Sequence, residues 1–338
     1  MAKKILKFAF YLLALLVAGF GLFLGYALQP GVSPQKLAQA GILSFAPDAG
    51  KVPLSQPKEL RVVTYNIGYA SGEKNNKGAI LSREEVEKNL DAIVTRLREF
   101  KPDLVFLQEV DFHAKRSFDI DQMRRLAEGL GLPYGAYVVT WNKKYVAWPY
   151  WPLSRHFGRV VSGQAVLSRF PIQGQQLIEF PKPAENPFWY NWFYLDRIVQ
   201  HLTLQFGDGA ASVYNVHLEA FAEATRREQL EQLSRLVKAD PNGLKVVAGD
   251  FNLAAPIAPG KDDPDRDREG LLQKFSTVTQ LAQAQGSSPL FSMPSWGPYK
   301  RIDHIFISPA WRLEKMGNFA GLVASDHLGI WAVFQSGQ

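Results

Sequence analysis

The feature that most constrains this chain is a repeated ending. Several short, apolar, β-rich runs stop at a side chain able to bind a cation or a phosphate. Asn66 follows the run 61–65, and Glu109 follows 104–107 by way of Gln108. His217 follows 212–216, and Asp250 and Asn252 follow 245–248. Asp303 sits in the run 302–307, and Asp326 with His327 precedes the run 329–334. Apolar runs of this length bounded by turn residues read as buried strands. Strand ends that face one side would gather these groups on a rigid support.

Helical signals alternate with the strands. Ser82 and Glu85 form a capping-box pattern, and Val86, Leu90, Ile93, Val94 and Leu97 then recur at helical spacing up to Phe100. Residues 120–130 and 223–237 read as further helices. The runs 198–205 and 212–216 flank Gly207-Asp208-Gly209, which predicts a hairpin. Apolar residues make up 46% of the chain and charged residues 21%, enough to bury a sizeable core. The pattern predicts one α/β domain over 59–338, with two packed sheets and helices outside.

The N-terminus is of another kind. Lys3, Lys4 and Lys7 precede an uncharged stretch, 8–28, long enough to cross a bilayer. It is longer than the apolar core of a signal peptide, so an uncleaved anchor over 1–29 is preferred to cleavage after Ala27. Lysines before the span place the remainder on the periplasmic or outer face. Residues 30–58 carry five prolines and read as a linker, with a short helix around 34–40. There is no cysteine, which excludes disulfides, thiolate nucleophiles, Cys-ligated metals and a lipoprotein anchor.

The candidate ligand set is four carboxylates and two carboxamides against two imidazoles. Hard Mg²⁺ prefers such oxygens, with Mn²⁺ as the alternative, whereas Zn²⁺ would want more His or Cys. In-line attack of water on phosphorus is the chemistry such a set suits. The stretches Thr64-Tyr65-Asn66, Leu107-Gln108-Glu109, 163–172, Asn215-Val216-His217-Leu218, Gly249-Asp250-Phe251-Asn252, Arg301-Ile302-Asp303-His304 and Ser325-Asp326-His327 resemble the endonuclease/exonuclease/phosphatase superfamily, in its order. That resemblance covers about residues 60–335 and implies a DNase I-like two-layer β-sandwich flanked by helices. It implies metal binding by Glu109, with Asn66 beside it, and makes Asp326 a further metal ligand or a carboxylate that supports the ligands. It implies that Asp250 orients or deprotonates water, that Asn252 binds the scissile phosphate or the water, that His217 binds phosphate, and that His327, its tautomer fixed by Asp303, contacts the phosphate or acts as general base. Whether Asp250 or His327 takes the proton stays open, and His304 is read as a packing residue. Arg197 is read as a surface or supporting residue.

Two aromatic segments, 134–157 and 188–194, replace the basic loops expected beside a duplex-DNA cleft. They favour a phospholipid-like or small phosphoester over nucleic acid, while the net charge of +6 keeps a secreted or membrane-tethered endonuclease on DNA or RNA as the alternative. An inactive phosphoester-binding module is the third reading; the complete set of acidic and imidazole side chains argues against it. The charged run from Lys261 to Arg268 is expected to be a solvated loop.

Overall fold

The computed structural model describes residues 1–45, 57–75, 77 and 79–337. A long apolar helix, α1 (Ala2–Ala27), comes first; it could cross a membrane by length and composition, and its side chains are almost all exposed. The domain then runs β1 (Ala40–Ser44), β2 (Glu59–Asn66), α2 (Arg83–Phe100), β3 (Leu104–Asp111), α3 (Gln122–Leu130), β4 (Tyr134–Val146), β5 (Gly158–Ser168), β6 (Ile172–Glu179) and the single turn α4 (Phe188–Asn191). It continues with β7 (Ile198–Phe206), β8 (Gly209–His217), α5 (Glu223–Ala239), β9 (Leu244–Asp250), α6 (Leu271–Thr279), β10 (Ala282–Gln283), β11 (Asp303–Ile307), β12 (Trp311–Asn318) and β13 (Ile330–Ser336).

Two mixed sheets form, in the orders β1-β4-β5-β3-β2-β13-β12 and β10-β11-β9-β8-β7-β6. Each contains one central parallel pair, β2 with β3 and β8 with β9. The expected sandwich flanked by helices is therefore the fold. Its layering follows from the two-residue period of the strands. On β2, Leu60 and Val62 point between the sheets, while Val63 and Tyr65 point toward α2 and α3. On β9, Val246 and Ala248 point between the sheets, while Val247 faces the layer that contains α5 and α6. The helices close both outer faces with matching apolar stripes, and the Ser82–Glu85 capping box forms at the start of α2.

Several parts differ from the sequence reading. Residues 40–44, assigned to the linker, pair with β4 as an edge strand, and residues 46–56 lie outside the described residues. The expected helix at 34–40 is only a turn closed on Ser33. The first aromatic segment is mostly strand: Tyr137 packs in the core, and only the stretch beyond Val146 exposes its rings. The charged run is pinned instead of free. Lys300 Nζ lies 3.0 Å from Asp263 and 2.7 Å from Asp265, Tyr299 donates to Asp263, and Asp267 accepts the first amides of α6.

Candidate active site

The rows of side chains that face between the sheets change character toward one end. Apolar residues give way to four carboxamides, Gln108, Gln164, Gln200 and Asn215. Gln108 Nε2 donates to Asn215 Oδ1 at 2.7 Å, and Asn215 Nδ2 donates to Gln200 Oε1 at 3.2 Å. This layer joins the two sheets, because buried amides must find partners. The same rows then carry Asn66 on β2, His217 on β8, Asp250 on β9 and Asp303 on β11. In register, His217 lies beside Asp250 and Asp303 beside Asp250. The alternation also explains Asp303-His304. Asp303 faces the crevice, while His304 turns outward against Phe251 and shares hydrogen bonds with Leu253 O and the Gln283 side chain.

Two backbone devices aim the remaining groups. The β3–β5 ladder shifts register between Leu107 and Val110, and Glu109 in that bulge has φ +52°. A bulge re-aims a side chain, and a positive φ in a non-glycine residue is retained only where surroundings enforce it. Asn252 likewise has φ +49°. Gly249 has φ +153°, and a Cβ there would meet Val216 O at 2.0 Å, so only glycine lets β8 and β9 approach this closely.

The structure brings every expected site residue to this end. Asn66 Nδ2 donates to Glu109 Oε1 at 3.2 Å and to Asp250 Oδ2 at 3.1 Å. Its oxygen accepts from Gly68 N, so the amide nitrogen, not the oxygen, faces the carboxylates. Asn75 was not visible as a site residue in the sequence. Its Nδ2 bridges Glu109 Oε2 at 3.1 Å and Asp326 Oδ1 at 3.0 Å. Asn252 N donates to Asp250 Oδ1, and its side chain donates to Leu218 O. His327 Nδ1 meets Asp303 Oδ2 at 2.9 Å, and its Nε2 lies 3.8 Å from Asp250 Oδ2. His217 Nε2 lies 3.6 Å from the same Asp250 oxygen.

Burial sets the charge states. It raises the Asp250 carboxyl to about 7, with Asp303 adding to the effect, and raises Glu109, with Asp326 adding. Burial opposes an imidazolium at His327, but Asp303, Asp250 and Asp326 outweigh it and hold His327 well above its ordinary value. At His217 burial, Arg197 and His327 all act downward, so that ring is neutral. Of the two expectations for Arg197, surface or supporting, the structure shows the supporting one. It is 4% exposed, its Nε lies 3.7 Å from Glu219 Oε2, and among the described residues its Nη1 has no hydrogen-bond partner. It lines a narrow cleft with Tyr69, Glu109, Thr140 and His217.

Two groupings could hold a cation. Asp250, Asp303 and His327 place ligand atoms within 4.8 Å of one another. However, Nδ1 of His327 is already committed to Asp303, which accounts for that closeness. Glu109 and Asp326 form the other grouping. Among the described residues no Lys or Arg makes an ion pair with either, and only carboxamides and a hydroxyl donate to them. Buried or half-buried carboxylates without a cationic partner are costly, and an oxygen-only set fits a hard divalent cation.

A two-sheet sandwich flanked by helices, with carboxylates, carboxamides and imidazoles gathered at its strand ends, is the DNase I-like fold, whose family consists of hydrolases acting on phosphoester bonds. The chain belongs to the Endonuclease/Exonuclease/phosphatase family, which it matches over residues 63–327. Among solved structures it is similar to an endonuclease/exonuclease/phosphatase from Beutenbergia cavernae, at 26% identity over 83% of this chain and 72% of that one, with TM-score 0.57. It shares its fold with a Bacteroides vulgatus member at 16% identity, covering 83% of this chain and 100% of that one, TM-score 0.56. It also shares it with a Bacteroides thetaiotaomicron mannosyl-6-phosphatase at 15% identity, covering 81% and 98%, TM-score 0.53. No curated protein matches the sequence.

Proposed function

We propose that this protein is a Mg²⁺-dependent phosphoester hydrolase, anchored through α1 with its catalytic domain on the outer face of the membrane. Its substrate is a lipid-like or small phosphoester. The carrying observation is the convergence of Glu109, Asp250, Asp303, Asp326 and His327 at one end of the sandwich, joined through Asn66 and Asn75. Glu109 and Asp326 would hold the cation, and Asn66 and Asn75 would orient them. A bound cation would supply charge stabilisation at the phosphoryl oxygens.

The residues themselves divide the remaining work. Asp303 claims Nδ1 of His327 and so fixes the ring, leaving Nε2 to donate to a phosphoryl oxygen. Asp250 accepts the proton of the attacking water, with its second oxygen held by Asn252 N. Neutral His217 and Arg197 stand at the cleft as further phosphate donors. Exposed aromatic loops beside the site, with Trp189 and Trp192 among them, favour an amphipathic substrate over duplex DNA. Purified protein with Mg²⁺ should hydrolyse members of a panel of phospholipids, inositol phosphates and generic diesters without nicking plasmid DNA. EDTA or Asp250→Ala should abolish turnover; full activity in EDTA would refute the reading, and nicking without lipid cleavage would move it to a nuclease.

A further inference from the structure

The apolar helix does not hang free of the domain. Its last turns and the residues after it run along the end of β4. Asn142 Nδ2 donates to Val32 O at 3.1 Å, and its Oδ1 accepts from Gly31 N at 2.7 Å. Lys144 N donates to Gln29 O at 2.7 Å, and its ammonium stands 4.7 Å from the Tyr26 ring centre. The Tyr145 ring meets Phe23 edge-on, with centroids 5.6 Å apart. The two segments are thus antiparallel: as β4 advances from 142 to 145, its partner recedes from 32 to 23. Phe23 and Tyr26 belong to the uncharged stretch that would occupy a bilayer, so β4 is heading into the membrane when it ends.

The loop after β4 suits that destination. Between Val146 and Gly158 it exposes Trp148, Tyr150, Trp151 (77% exposed) and Leu153. It is tied to β4, since Tyr145 Oη and His156 Nδ1 are 2.8 Å apart and Phe157 N donates to Trp148 O at 2.9 Å. Lys144 and Arg155 flank it. Exposed tryptophan and tyrosine with flanking cations are the composition favoured at the lipid–water boundary.

We infer that the β4–β5 hairpin loop is a second membrane contact, with the bilayer that holds α1 as its partner and Trp148 and Trp151 inserted at the headgroup boundary. The same two strands carry Thr140, Gly163 and Gln164 into the wall of the catalytic cleft. The contact therefore sets the height and tilt of the site over the lipid surface. This inference rests on the anchor being a true span and not on the reaction catalysed.

The test is tryptophan quenching of the full-length protein in phosphatidylcholine vesicles, with plain lipid against lipid brominated high on the acyl chain. Helix α1 contains no tryptophan, so the signal comes from the catalytic domain alone. Two of the eight tryptophans lie in the loop, so roughly a quarter of the emission should be quenched, and Trp148→Leu with Trp151→Leu should remove most of that effect. Trp151→Leu alone, at a freely exposed position, should halve it without threatening the fold. Vesicle-integrated protein with equal emission in both lipids, or quenching undiminished in the double variant, overturns the inference. Protein that washes off the vesicles with carbonate overturns the anchor, and this contact with it, whatever its hydrolytic activity.

Discussion

The two sides of the crevice give their carboxylates different partners. On one side stand Glu109 and Asp326, delivered by the first sheet and its loops and faced mainly by the amide groups of Asn66 and Asn75. On the other stand Asp250 and Asp303 of the second sheet, faced by His217 and by His327, which reaches across from the loop before β13. The difference lies in the partner. Carboxamides can orient a carboxylate but cannot neutralise it, which leaves a demand for a cation. An imidazole beside a carboxylate can share or pass a proton. One half of the crevice is suited to charge and the other to proton handling.

That division can be broken most severely in the proton-handling half. Asp250→Ala or His327→Ala should lower kcat by ~10³-fold or more, the range a positioned acid or base contributes, and raising the metal concentration should not restore it. Substitution in the other half should behave otherwise. Asn75→Ala removes only the donor between Glu109 and Asp326. It should weaken the apparent metal affinity by about 10–100-fold while kcat at saturating metal stays near that of the wild type. Titrating activity against Mg²⁺ for both variants separates the halves. A metal-rescuable Asp250→Ala, or an unrescuable Asn75→Ala, would erase the distinction.

Much of this is legible in the sequence, because strand periodicity and motif order survive without coordinates. The run 61–65 ending in Asn66, the capping box at Ser82, and the outward His304 all accord with local spacing. Asn75 does not show, since it lies in a loop with no period and acts on residues 34 and 251 positions away. The burial of Arg197 escapes the sequence because a charged residue at a strand start ordinarily faces solvent. Here the partners that make its burial tolerable are Glu219, 22 positions further on, and Tyr194. The edge strand β1 is hidden among prolines, and its pairing with β4 is decided by tertiary contact.

Arg197 tests whether the second sheet also binds substrate. Its unbonded Nη1 beside the cleft predicts that Arg197→Met raises KM for the phosphoester at least about tenfold with a smaller change in kcat, as expected for one charge-assisted bond of roughly 1.5–3 kcal/mol. Isothermal binding of inorganic phosphate should weaken in parallel. Unchanged KM would return Arg197 to a purely structural role with Glu219.

The smallest expected effect concerns stability, and it also separates the sheets. His304 is buried on β11, and burial, with Arg301 adding, lowers it from 6.5 to about 3. The first sheet has no counterpart, since none of its strands contains a histidine. Between pH 6.5 and 3 the unfolded chain binds a proton at this position that the folded chain refuses, so folding stability falls as pH falls. From about pH 6.5 to about 5.5 this one site should remove about 1 kcal/mol. Asp250 acts in the opposite direction: its raised carboxyl stabilises the folded state at low pH, and that contribution is lost as pH rises toward about 7. The raw pH profile is therefore a sum, and the difference between wild type and His304→Gln isolates the histidine. Gln can keep the bond to Leu253 O without titrating. Urea midpoints measured in EDTA should show the wild type losing about 1 kcal/mol more than the variant over that interval. Equal losses would mean that His304 is protonated in the folded protein, and that the packing against Phe251 does not exclude the charge.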